Sequence, residues 1–148
     1  MKTKLFFVVL IFTIFSLSCE TEENPVPDVR VDFEFSLNNA QYSNLQNPGG
    51  WVYLTGGYNG IFVYNVDCDT YYAYDRSCTA NNKHTCLVYD EKEHCLLHTD
   101  TCENCSSKFS VPLKGAVIQG PAKFPLRQYE VYKTQNGRLR ITNNYFGY

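Results

Sequence analysis

Basic residues are scarce in this chain, and the shortage excludes a class of function at once. Its 148 residues carry 13 Lys and Arg against 15 Asp and Glu, a formal charge of −2. Removal of residues 1–18 takes Lys2 and Lys4 and no acid, which moves the charge to −4. Nucleic-acid binding needs a basic footprint to neutralise phosphates, so no nucleic-acid partner is expected. The start, Lys2-Thr-Lys4, has no Arg-Arg pair, which argues against export of a folded, cofactor-loaded protein by the twin-arginine route. No stretch keeps a helical period, and Gly and Asn recur too often for long helices. There is no internal repeat. No Gly-x-Ser-x-Gly frame surrounds the Ser, His and Asp residues, so a hydrolase triad is not supported.

What is there begins with an address. Lys2 and Lys4 precede an apolar run, Leu5 to Leu17, that is too short to span a bilayer comfortably and ends in small residues. This is the pattern of a secretory signal peptide over residues 1–18. Ser16-Leu17-Ser18-Cys19 resembles a bacterial lipobox, with Ser16 where that box usually has leucine. The resemblance implies that Cys19 is lipidated and becomes the first residue of the mature chain. The following Glu20-Thr-Glu-Glu23 resembles the acidic export tag of surface lipoproteins in Bacteroidetes-type bacteria. The implied location is the cell envelope, lipid-anchored at the outer membrane and surface-exposed. Residues 19–30, with Pro25 and Pro27, read as the lipidated cysteine and a short tether, and residues 31–148 as one domain.

That domain reads as all-β. Val31-Asp-Phe33-Glu-Phe35-Ser-Leu37 alternates apolar and polar residues, as a half-buried strand does. Trp51–Leu54, Ile61–Tyr64 and Tyr71–Tyr74 are short aromatic and β-branched runs, punctuated by Gly56-Gly57 and Asn59-Gly60. Further strands are expected at Lys108–Val111, Gln128–Lys133 and Leu139–Thr142, with the last two joined in a hairpin at Asn136-Gly137. Asn38–Gln46 has room for a helical turn. The expected body is a small antiparallel sandwich or barrel. The twelve tyrosines, among them Tyr71, Tyr72 and Tyr145, suit either a carbohydrate platform or ordinary sheet packing, and packing is the expected role.

The back half of the chain carries the most specific pattern: Cys102-Glu-Asn-Cys105-Ser-Ser107-Lys-Phe109, then Gly115, Gly120-Pro121-Ala122, Leu126 and Tyr129. It resembles the second half of a Rieske iron–sulfur domain, in which a Cys-x-x-His-x-Ser-x-Phe loop carries two cluster ligands and a Gly-Pro-Ala segment covers the cluster. The resemblance extends from Gly50 to Asn143 and implies a small β-barrel with two ligand loops at one end. The first loop falls at Cys78-Thr-Ala80 and the second at Cys102–Cys105. Ala80 and Cys105 stand where the family has its two histidines, so the motif is degenerate. The resemblance implies Cys78, Cys102 and Cys105 as cofactor-binding residues of a 2Fe–2S centre, lying together at one end. Ser107, Phe109 and Gly120-Pro121-Ala122 are structural in that family.

Other ligand sets stay open. Cys78, Cys86, Cys102 and Cys105 would supply four thiolates to zinc, since the two residues between Cys102 and Cys105 let both sulfurs face one metal. His84, His94 and His98 read as solvated loop residues, and Cys95-Leu-Leu-His98 lacks a following Ser-x-Phe. The compartment favours a third outcome. Six cysteines remain after Cys19, an even number, and small exported domains pair theirs. Cys68 and Cys95 then fall outside the cluster and are expected to pair with each other. A thiol redox enzyme is disfavoured, because such a pair opens a helix and here a strand follows Cys105. The sequence therefore describes a non-enzymatic envelope lipoprotein: an electron-transfer or metal-binding protein with an unknown redox partner, or a cofactor-free, disulfide-stapled structural or binding module.

Overall fold

A computed structural model of the chain describes residues 22–80, 87–98 and 106–143. Their strands are β1 (Asp32–Ser36), β2 (Trp51–Leu54), β3 (Ile61–Asn65), β4 (Tyr71–Asp75), β5 (Leu87–Asp90), β6 (Cys95–His98), β7 (Lys108–Ser110), β8 (Ala116–Gln119), β9 (Gln128–Lys133) and β10 (Arg138–Thr142). The helical turn expected before β2 is a 3-10 segment, Ala40–Gln46, capped by the Asn39 side chain, which accepts from the Gln41 amide at 3.3 Å. None of the described helices is long and apolar enough to cross a membrane.

Two antiparallel sheets result. One has six strands in the order β1-β10-β9-β4-β3-β2, and the other has four in the order β5-β6-β7-β8. All six strands of the first sheet send side chains into one cluster that includes Phe35, Val52, Val63, Ala73, Tyr129, Leu139 and Ile141. A sheet can bury one shared face this way only by curling, and it forms a half-barrel whose core also takes in Leu45 of the 3-10 segment. The opposite face of β3 and β4 carries Phe62 and Tyr74. It packs with Leu87, Leu96 and Phe109 of the smaller sheet in a second cluster. Strands β3 and β4 are thus buried on both faces, which explains why their sequences read as apolar runs rather than as alternation.

The last hairpin turns where expected, by a different route. Its loop is Thr134–Gly137, closed by the Thr134 amide on the Arg138 carbonyl at 2.8 Å. Gly137 alone takes a positive φ, +69°, and Asn136 does not. The loop therefore uses the left-handed freedom of one residue, not two. Across β1 and β10, Phe35 faces Leu139 and Phe33 faces Ile141, while Asp32 binds the Arg140 guanidinium at 2.8 and 2.9 Å on the outer face.

The tether reading of residues 19–30 does not hold for its described part. Val26 is fully buried, and Arg127 donates from Nε and Nη2 to its carbonyl at 3.1 and 2.6 Å. Asn24 donates to the Pro125 carbonyl at 3.2 Å. Asn143 holds Val29 and Asp28 at 2.6 and 2.9 Å. Pro25 and Pro27 shape a strap laid along the domain, not a free linker.

Candidate functional site

The chain enters the smaller sheet twice from the same end. Leu87, the first residue of β5, pairs with His98 at the end of β6, and Leu97 pairs with Lys108 at the start of β7. The strand ends that flank the connections 76–86 and 99–107 therefore lie at that same edge, and of the two connections only 76–80, with Cys78, and 106–107 are described. Cys86, Cys102 and Cys105 lie outside the described residues, as do Cys19, His84 and Tyr145, so their expected neighbourhood with Cys78 is not placed.

Cys78 itself is 2% exposed and packs in the second core cluster beside Phe62 and Phe109. Its sulfur is disulfide-bonded. Among the described residues the other two cysteines are free thiols, Cys68 exposed and Cys95 buried. The expected Cys68–Cys95 pair is thus not formed. Cys68 sits in the β3–β4 turn, where Lys133 donates to its carbonyl, whereas Cys95 opens β6 and points into the protein. Burial first, then the nearby charge of Glu93, pushes the Cys95 thiol above its ordinary range. It behaves as a small core residue.

The root of the first loop is held by a buried carboxylate. Asp75, the last residue of β4, is fully buried. Its Oδ2 accepts from the Tyr129 hydroxyl at 2.7 Å and from the Tyr58 amide at 2.6 Å. Its Oδ1 accepts from the Ser77 amide at 3.0 Å and from the Ser77 hydroxyl in a very short bond. Asn59 in turn donates to Ser77 Oγ at 2.9 Å. Burial above all, then the bond to Asp75 and its charge, pushes the Tyr129 phenol well above the tyrosine range. Arg76 crosses to the smaller sheet, donating to the Leu87 carbonyl at 3.0 Å while its guanidinium lies 3.8 Å from the Tyr53 ring centre. A buried carboxylate with four donors is a rigid support, and here it fixes the backbone entering Cys78. Nothing in the sequence pattern singled out Asp75; the signal was the tyrosine at 129, read only as part of a motif.

The segment after β8 clamps both loops. Ser107 is fully buried and its hydroxyl accepts from the Ala122 amide at 3.0 Å. Gly120 lies so close that a Cβ there would stand 2.5 Å from the Ser106 oxygen and the Ser107 Cα. Thr79, next to Cys78, donates to the Phe124 carbonyl at 2.5 Å. Gly115 takes φ +74° and leaves room only for the Leu126 side chain and the Tyr74 ring. Ser107, Phe109, Gly115, Gly120-Pro121-Ala122, Leu126 and Tyr129 are all structural in this chain. Among the described tyrosines, Tyr74 and Tyr129 are fully buried and Tyr71 nearly so, whereas Tyr53, Tyr58 and Tyr132 are exposed.

Can this end hold a metal or cluster? A Rieske-type 2Fe–2S centre does not fit the residues present. Ala80 offers no donor atom where the first loop needs its second ligand, and the Cys78 sulfur is already bonded. Among the described residues no group of three or more His, Cys, Asp or Glu is placed to hold a metal ion. His94 is exposed, in a left-handed turn, with Nδ1 3.1 Å from the Tyr89 hydroxyl. Beside Thr79 and Ala80 runs a cleft of about 380 Å³, also lined by Glu22, Glu23, Pro121, Lys123 and Phe124.

No protein-family model matches the chain. No curated protein matches it. Among solved structures, it is similar to the ferredoxin of carbazole 1,9a-dioxygenase from Nocardioides aromaticivorans IC177. The two share 19% identity and a TM-score of 0.48, over 78% of this chain and 97% of that one.

Proposed function

We propose that this chain is a lipid-anchored protein of the bacterial cell envelope whose Rieske-like β domain is a cofactor-free binding module, cross-linked at the end where that fold carries ligands. One observation carries the reading: the cysteine at the first ligand position, Cys78, is a buried half-cystine rather than a free thiolate. Ala80 beside it supports the same view. The lipobox-like Ser16–Cys19 supports the anchor, and the export route it implies puts the cysteines in an oxidising compartment.

A second reading has its own support. Cys102 and Cys105 keep the spacing of a metal half-site, and the strand ends that flank the two connections lie at one edge of the sheet. On this reading Cys78, Cys86, Cys102 and Cys105 hold zinc or an iron–sulfur centre, and the domain passes electrons or stores a metal. Metal analysis and thiol titration of the mature protein, purified from its own envelope, separate the two. The binding-module reading expects iron and zinc far below one per chain, and a Cys78 that reacts only after reduction. A stoichiometric metal would overturn it.

A further inference from the structure

We infer that the end of the domain around Lys123 and Thr79 faces the lipid headgroups, held there by the docked strap. The inference rests on the anchor reading and adds an orientation to it. Glu22 follows Cys19 by three positions, a reach of roughly 10 Å even when fully extended. Glu22 is already on the domain: its carboxylate meets Lys123 Nζ at 2.6 Å. The ion pair is exposed and weak by itself. The strap behind it is not, since Val26 is buried without remainder and its carbonyl takes two bonds from Arg127. A lipid on Cys19 sits at the interface, because its acyl chains must occupy the hydrocarbon layer. The chain therefore cannot lift the surface around Lys123 far from the bilayer.

That surface is the end of the domain that holds Thr79 and Ser107. Lys123 lies between Ala122, bound to Ser107, and Phe124, bound to Thr79 next to Cys78. Arg127 pairs its carbonyl with the Asp75 amide at the end of β4. The opposite pole is just as well defined. β9 carries the chain six residues away, from Gln128 to Lys133, and Lys133 there contacts Asp69 at 2.8 Å in the β3–β4 turn. At about 3.3 Å per residue this places the Cys68 turn and the Thr134–Gly137 loop far from the anchor. The partner of the surface around Lys123 is thus the headgroup layer of a bilayer.

The test uses the mature lipoprotein, isotopically labelled, in phosphatidylethanolamine–phosphatidylglycerol nanodiscs that contain a small fraction of lipid with a gadolinium chelate on its headgroup. Amide signals of Ala122, Lys123 and Phe124 are expected to lose most of their intensity, and those of 67–70 and 135–137 to keep theirs. Arg127→Gln, which loosens the strap, is expected to shrink the difference between the poles. Its fold is checked by the unchanged signals of β3 and β4. Equal broadening at both poles, or stronger broadening at 135–137, in protein whose N-terminal peptide carries lipid by mass spectrometry overturns the orientation alone. An N-terminal peptide without lipid overturns the anchor reading, and the orientation with it.

Discussion

The Tyr129 hydroxyl donates to Asp75 Oδ2 at 2.7 Å, and this bond ties β9 to the end of β4 inside the protein. Both residues are buried, with Tyr129 1% exposed and Asp75 fully enclosed. The contact joins the last hairpin to the loop that carries Cys78. Replacing Tyr129 by Phe keeps the ring and leaves one lone pair of a buried carboxylate without its donor. The expected loss is about 1–3 kcal/mol of stability, the cost of an unsatisfied buried group next to a charge. Urea unfolding of the variant checks it. A midpoint equal to that of the parent would mean that Tyr58 and Ser77 satisfy Asp75 without the phenol.

Alkaline pH should destabilise the fold, and the sign follows from three phenols. Burial is the first cause in each of Tyr74, Tyr89 and Tyr129, and all three are pushed above the tyrosine range. Below about pH 10, the ordinary tyrosine value, both folded and unfolded chains keep these protons. Above it the unfolded chain releases them and the folded chain holds them, so the unfolded state binds fewer protons and stability falls as pH rises. Stability measured from pH 8 to 11 is expected to be flat and then to drop. The drop should be shallower in Tyr129→Phe, which has one such phenol fewer. An unchanged slope in that variant would remove Tyr129 from the account.

Two glycines with positive φ predict unequal sensitivities. Gly137 at +69° faces open space, so Gly137→Ala costs only the left-handed backbone, about 1–2 kcal/mol. Gly120 at +94° has the same backbone cost and a backbone overlap with Ser106 and Ser107 as well. Overpacking of that kind adds roughly 1–3 kcal/mol. Gly120→Ala is therefore expected to be clearly the more damaging, and to loosen the clamp on Ser107. Parallel thermal melts of the two variants decide it. Equal losses would show that the segment 120–122 moves aside freely.

Much of the body was legible because local pattern and burial agree there. Phe33, Phe35, Ile61 and Tyr71 announce their strands, and Gly56, Gly60 and Gly137 mark the turns. Strands β5, β6 and β8 were missed for different reasons. Cys95-Leu-Leu-His98 reads from its residue types as ligands or cross-links, yet it is a strand whose cysteine is a core residue. Leu87–Asp90 lies in what looked like a long gap between loops, and Ala116–Gln119 is a brief apolar run just past a glycine. The strap was illegible because its contacts are remote in sequence: Val26 meets Arg127, and Asn24 meets Pro125. Two prolines and the acids around them say linker until the partner surface exists. At the site, the motif residues from Ser107 to Tyr129 were legible as a frame. The fate of Cys78 was not, because a thiol's partner depends on geometry and redox state together.

The thiols themselves give the sharpest chemical test. Cys68 is exposed and free, Cys95 is buried and free, and Cys78 is bonded. A thiol reagent added to the native protein without reductant is expected to modify Cys68 quickly. Cys95 should react only when the protein opens, since burial both hides it and raises its proton affinity, and the thiolate is the reactive form. Cys78 should stay unmodified even in denaturant until a reductant is added. Peptide mass mapping distinguishes the three. Removing the bond by Cys78→Ala should then cost about 2–5 kcal/mol, as the loss of a structural disulfide does in a small domain. Cys68→Ser should cost almost nothing, because its side chain is exposed and its thiol is free. If Cys78 is modified in denaturant before reduction, the sulfur was a free thiol or a metal ligand, and the cross-linked reading fails at its first residue.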